Sequence, residues 1–451
     1  MPPDLTPLDN ASRLLVEAEL KVATGGGGRF QPTGFPDLGP ALFKGADGND
    51  WLLVESPQSM ANRMERVCWV DGGSEADRVG KYDADCDGIP YVLAVDADER
   101  PLTASTLEAH RLSSPYIWDT QSFDDPDDKA EGEKKQVTLP EYLKRLFVIA
   151  ENRLVPWKKV AEGLMKVDPG CLLHGIWFND SKFAGGKVRI TRALSGYIEA
   201  RAPSPANFSF QKRDTVSDRT DKEAGQSAAE GFGSVIGPKQ HFTSPEIFAY
   251  FQIDIDRLRS YGLSPDQVHA LTAWAIYKIR RVLLSSRDGI ADLRTECKFE
   301  PIKVTAKYIH KDTGRREYFE LPEIGNELNS AFKQLKGQRI KVKWVPNVEG
   351  KAELPEDFDE KTLKRENLEA KSRFEKSKPK KGSKKQENGF FVVFGEWSAA
   401  DKVSLLNQNP EEPVQSIVRK AIKDYEAKWE AKAQSRKPEK KEDEVGDGDD
   451  Q

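Results

Sequence analysis

Residues 14–22 (LLVEAELKV) alternate, with Leu14, Val16, Ala18 and Leu20 falling on one side, the period of a half-buried strand. Four glycines, Gly25 to Gly28, break the pattern before Arg29-Phe30-Gln31-Pro32-Thr33-Gly34. A second apolar run, Trp51 to Val54, leads through Glu55 into Ser56-Pro57, where serine as N-cap and proline at the first helical position open a helix. Met60, Met64, Val67 and Cys68 recur at helical spacing as its buried face, and Ser59, Asn62, Arg63 and Arg66 gather on the other. Leu139 to Leu154 reads as helix, residues 171–178 (CLLHGIWF) as a strand, and Lys187 to Ile198 as extended. Ser264-Pro265 caps an amphipathic helix through Val268, Leu271, Ala275, Ile276, Ile279 and Val282, and residues 299–308 return as a strand. Strands and helices so interleaved predict an α+β sandwich elaborated by loops.

The punctuation of the chain predicts its domains. A body spans residues 1–345, interrupted by an acidic insertion at about 119–136 and by a polar insertion, rich in Ser, Gly, Pro and charge, at about 203–241. A charged linker (346–388), a small strand–helix extension (389–435) and an acidic tail (436–451) follow. The tail has no large apolar side chains to offset the entropy of ordering it, so it is expected to be disordered. The net charge of −5 hides an uneven distribution: seven acids and one base lie in 119–133, whereas 371–385 hold eight bases and one acid. Beneath acidic appendages the body is therefore expected to be mildly basic. No stretch approaches the roughly 20 apolar residues of a membrane span, and the N-terminus lacks the pattern of a signal peptide. The expectation is a soluble, cytoplasmic protein without a membrane partner.

Several motifs invite chemistry and fall short. The four cysteines are scattered and form no CxxC pair, so they read as reduced thiols. Asp83-x-Asp85-x-Asp87-Gly88 copies the start of an EF-hand loop, but Ala94 stands where the bidentate Glu belongs and Pro90 interrupts the loop. A turn whose aspartates satisfy their own backbone is the better reading. Gly25 to Gly28 lack phosphate-loop spacing, the five histidines form no HxH or HxxxH pair, and no GxSxG elbow occurs. No cofactor or metal is expected. What remains is Ser56, Gln58, Ser59, Asn62 and Arg63 on the first turns of one helix, whose amides and positive dipole end suit a phosphate. Arg29 and Gln31 converge there if the two flanking strands are neighbours. Such groups hold a nucleic-acid backbone without reading its bases.

At these residues the sequence resembles a known family. Residues 12–18 (SRLLVEA), 29–39 (RFQPTGFPDLG) and 53–63 (LVESPQSMANR) look like the GSU-type RAMP-superfamily backbone subunit of type I-U, or I-G, CRISPR effector complexes. The resemblance continues through His174-Gly175, Arg192-Ala193-Leu194-Ser195, Gly231-Phe232-Gly233, 249–254 (AYFQID), 274–281 (WAIYKIRR) and Leu293-Arg294-Thr295. It implies an RRM-like, ferredoxin-type palm with finger and thumb insertions, and a non-catalytic subunit that polymerises along a CRISPR RNA. The implied partners are that guide RNA, copies of the same chain head to tail, other Cascade subunits and the target DNA strand paired to the guide. Arg29, Gln31, Ser56, Gln58, Ser59, Asn62, Arg63 and Arg192 become candidate RNA contacts. In the thumb-like insertion Lys212, Arg213, Lys239 and His241 suit phosphate, and Phe232 suits a wedge against a base. The competing function is a RAMP endoribonuclease that processes CRISPR RNA, although no acid–base pair is visible to support it.

Overall fold

Alternation along residues 11–22 does produce a central strand. The computed structural model describes residues 4–345 except 36–38, 75–77, 130–131, 151–152, 181–182, 213–234 and 286. The chain divides into units 1–345 and 346–451, and the described residues belong to the first. The linker, C-terminal extension and tail read from the sequence lie outside the described residues, as do Arg213 and Phe232.

Seven strands make one antiparallel sheet: β1 (Ala11–Val22), β2 (Leu42–Lys44), β3 (Asp50–Glu55), β4 (Leu194–Arg201), β5 (Glu246–Asp254), β6 (Phe299–His310) and β7 (Arg316–Tyr318). Their order is β7-β6-β1-β5-β4-β3-β2. Seven helices bear on the argument: α1 (Pro57–Arg66), α2 (Leu139–Leu146), α3 (Trp157–Val167), α4 (Gly170–His174), α5 (Ile255–Ser260), α6 (Pro265–Leu284) and α7 (Asn326–Gln334). In chain order β1, α1, β4, β5, α6 and β6 form a β-α-β-β-α-β unit whose four strands lie in the order β6-β1-β5-β4.

Period-two burial sets which face the helices cover. Leu14, Val16, Ala18 and Leu20 of β1 pair with Ile253, Phe251, Ala249 and Ile247 of β5, which pair in turn with Leu194, Gly196, Ile198 and Ala200 of β4. All are buried, and α1 and α6 pack over this face and against each other. Gly196 is required by that packing: a Cβ there would lie 2.5 Å from the Phe251 ring and 3.1 Å from Met60 Cγ of α1. The serine caps form as expected, Ser56 accepting from the Ser59 amide at 3.2 Å and Ser264 making a reciprocal capping box with Gln267.

The segment between α1 and β4, joined by a strand from the end of the described chain, builds a second, three-stranded sheet. Val92–Val95 sits between antiparallel Pro101–Ala104 and parallel Ile340–Lys343, with α2, α3 and α4 nearby in the chain. Three expectations are corrected in this region. Residues 171–178 are not one strand: Gly170–His174 is helical, Gly175 turns at φ +80°, and only Ile176–Trp177 is extended. The helix from Leu139 ends at Leu146, because the chain turns through Val148 at φ +55°. The acidic insertion is no mere appendage, since Phe123–Asp124 pairs with Gln136–Val137. There Asp125 is buried against Arg145, and Asp127 meets Lys166 at 2.6 Å.

The insertion at 203–241 is likewise structured at its root. Ser204–Pro205 pairs with Phe242–Thr243, and Phe208–Lys212 with Val235–Lys239, making a two-stranded ribbon between β4 and β5.

Candidate nucleic-acid interface

β3 delivers Glu55 to the start of α1, where the carboxylate is fully buried and receives two arginines. Arg63 Nε donates to Oε1 at 2.8 Å, Arg294 donates to Oε2, and the Ser59 hydroxyl donates to Oε1 as well. Burial opposes ionisation, but Ser59, Arg63 and Arg294 outweigh it and hold the Glu55 carboxyl below its ordinary range. Arg63 also donates to the carbonyls of Asp292 and Leu293, and Arg294 to those of Gln31 and Val54. The network therefore ties the Gln31 loop, β3, α1 and the segment before β6 together. Of the arginine and serine side chains expected at a phosphate, Arg63 and Ser59 are spent on this internal pairing.

The N-terminal turn of α1 keeps a second group facing solvent. Gln58 and Asn62 are exposed and 3.4 Å apart in a weak side-chain contact. Arg192, just before β4, donates to Gln58 Oε1 at 2.9 Å and to the Pro57 carbonyl at 3.1 Å. Both acceptors are neutral, so this guanidinium has no carboxylate partner among the described residues. Burial, with help from the Arg111 charge, lowers its basicity, which still leaves it a cation at neutral pH.

Arg192 and Gln58 stand at one side of a cleft of about 1180 Å³. Arg111 supports its floor through a buried bidentate pair with Glu65, both bonds at 2.8 Å, and a 3.1 Å bond to the Gly175 carbonyl. His174, at the end of α4, also lines the floor and is 3% exposed. Burial, then the charges of Lys278, Arg111 and Arg192, push its pKa well below the usual histidine range, so the ring is neutral. Trp177, 50% exposed, forms a wall, with the Arg189 guanidinium 5.8 Å from its ring centroid. A smaller hollow of about 430 Å³, lined by Ser59, Asn62, Arg63 and Arg66, shares Ala109 with this cleft. Together they follow the exposed side of α1.

The other sequence candidates gather at the ribbon root. Arg29 lies 5.0 Å from the Phe208 ring centroid, and Phe30 and Phe242 exchange backbone hydrogen bonds at 2.9 and 3.0 Å. His241 is buried against Phe208, with Nε2 2.8 Å from the Glu296 carboxylate in an approach not aligned as a hydrogen bond. Lys212 and Lys239 belong to the two paired strands of the ribbon. The sequence candidates thus form two groups, one on α1 with Arg192 and one at the ribbon root, joined by Gln31 and Arg294. Sequence reasoning gave no role to Arg294, Arg111, Arg189 or Trp177. Arg294 stood in a matched triplet, which was the one available signal.

The uncovered face of the sheet carries aromatics among charges of both signs, with Lys303 opposite Glu19 and Lys307 opposite Leu15. Tyr197 and Tyr250 lie 5.4 Å apart, and Glu17, Glu19 and Glu199 flank them in register. Burial first, then Glu17 and Glu199, push the Tyr250 hydroxyl up to about 12. Carboxylates that close to the aromatics disfavour phosphate.

Among the described residues no group of three or more His, Cys, Asp or Glu could hold a metal ion, and no helix is long and apolar enough to cross a membrane. In the Asp83 turn, Oδ1 of Asp83 accepts the Cys86 amide at 3.0 Å, but Oδ2 accepts the Tyr277 hydroxyl of α6 at 2.7 Å and Asp87 pairs with Arg339, so the aspartates are held largely by other segments.

The family model described as CRISPR-associated protein GSU0053 matches residues 14–203, from β1 across the cleft to the end of β4. No curated protein matches the chain in sequence. Among solved structures, a chain of a CRISPR RNA-guided surveillance complex, pre-nicking, is 11% identical, with 65% of this chain and 78% of that chain covered and a TM-score of 0.33. The crystal structure of Thermofilum pendens Csc2 is 13% identical, with 93% and 89% covered and a TM-score of 0.25. At these scores neither likeness establishes a shared fold.

Proposed function

We propose that the protein is a non-catalytic backbone subunit that binds guide RNA in a CRISPR surveillance complex, polymerising head to tail along it. The observation that carries this reading is the match of residues 14–203 to a CRISPR-associated family over the span that contains Gln58, Arg192 and the cleft. The β-α-β-β-α-β unit serves as an RRM-like palm, and the ribbon between β4 and β5 as the root of a thumb. An RRM commonly stacks bases on its open sheet. Here the acidic flank of Tyr197 and Tyr250 disfavours that route, and the α1 side offers a helix N-terminus, an arginine with no carboxylate partner among the described residues and an aromatic wall instead. RNA backbone is expected at Gln58, Asn62 and Arg192, with Arg29 reaching it from the ribbon root. Copies that coat one RNA meet through two different patches, which generates an open filament rather than a closed dimer.

The test is incubation of the purified protein with labelled repeat RNA at several salt concentrations. A shifted, intact RNA whose affinity falls steeply with salt supports the reading. RNA cut within the repeat would favour the endoribonuclease alternative, and the absence of a salt-sensitive shift would contradict both.

A further inference from the structure

The cleft beside α1 contains more than a phosphate site needs. His174 is 3% exposed, and neither ring nitrogen has a hydrogen-bond partner among the described residues. A buried polar group left unsatisfied is costly, so it marks a place where a partner is missing. An anion only accepts, so it would satisfy one nitrogen of this neutral ring and leave the other unpaired. A neutral ring offers one donor and one acceptor, which suits a neutral polar edge. Nearby, Trp177 presents a half-exposed indole whose orientation is fixed by a 2.9 Å bond from Nε1 to the Gly186 carbonyl. An aromatic face and a neutral polar group on the cleft's lining, with Arg192 and the α1 N-terminus at its side, match the parts of a single nucleotide.

We propose that the cleft captures one unstacked nucleobase of a single-stranded RNA, with its face on Trp177 and its polar edge on His174, while Arg192 and the start of α1 hold the adjoining phosphate. This rests on the guide-RNA reading and adds a base-holding site to it. Base stacking on an aromatic side chain is tolerant of sequence, so Trp177 contributes affinity for any base. His174 contributes discrimination, since a base whose edge cannot pair with a neutral imidazole leaves it unsatisfied.

The probe is a uridine-rich single-stranded RNA carrying one 2-aminopurine, titrated into the purified full chain, with Trp177→Ala, His174→Leu, His174→Gln and Arg192→Ala as variants. Wild-type binding is expected to quench the 2-aminopurine emission. Trp177→Ala should abolish the quench and weaken affinity about tenfold, with the salt slope unchanged because no phosphate contact is lost. His174→Leu should weaken binding, and His174→Gln should restore part of the loss. Arg192→Ala should instead lower the salt slope. Should His174→Leu fail to fold, Trp177→Ala decides the matter, because that side chain is half exposed. Wild-type affinity and quench in Trp177→Ala, with Arg192→Ala still weakened, would overturn the base site and leave the guide-RNA reading standing. Failure of the wild-type chain to bind RNA would remove both.

Discussion

Glu55 and Asp168 are two buried carboxylates with opposite surroundings. Glu55 is held below its ordinary range by Ser59, Arg63 and Arg294, so its contribution to stability is present above the unfolded carboxylate range and is lost as pH falls through the folded value. Glu55→Gln would leave two guanidiniums without their charge partner, and a loss of about 3 kcal/mol at pH 7 is expected in urea unfolding. The gap from wild type should narrow on acidification below about pH 4. Burial raises the Asp168 carboxyl to about 6. A raised carboxyl favours the folded state while it stays protonated, and the advantage is lost as pH rises through about 6. Asp168→Asn keeps an acceptor for the Gly170 amide and removes the buried charge. It should be more stable than wild type at pH 8 by on the order of 2 kcal/mol, with the difference fading below pH 6.

At the scale of elements, legibility in the sequence followed amphipathicity. β1 declared itself because one face is buried and the other polar, and α1 and α6 because Ser-Pro pairs cap them. Residues 171–178 misled because an uninterrupted apolar run is equally a buried helix or a buried strand, and Gly170–His174 is buried throughout. The acidic insertion misled because composition does not reveal that Arg145 and Lys166, far along the chain, meet its carboxylates. The site divides in the same way. Gln58 and Asn62 were legible as the solvent face of α1, but the withdrawal of Arg63 inward is completed by the carbonyls of Asp292 and Leu293, more than two hundred positions away. Gly196 tests the packing of α1 on the sheet. Gly196→Val should place its side chain against Phe251 and Met60 and destabilise the protein by about 1–3 kcal/mol, read from thermal or urea unfolding. An unchanged midpoint would mean that α1 does not approach β4 this closely.

For the whole molecule, the arrangement separates the two faces of the sheet, with helices and the cleft on one side and flanking carboxylates around Tyr197 and Tyr250 on the other. Arg192→Ala should weaken binding to guides of any sequence and lower the salt slope by roughly one unit per phosphate released, with the melting temperature little changed. Arg63→Glu should behave differently, losing stability before binding, because Arg63 is only 18% exposed and paired with Glu55. The claim that copies of this chain coat one guide RNA is tested most directly by light scattering coupled to size exclusion, with single-stranded guides of increasing length. The number of bound copies should rise in even steps as the RNA lengthens. One copy, or a fixed dimer, on RNAs of every length would contradict it.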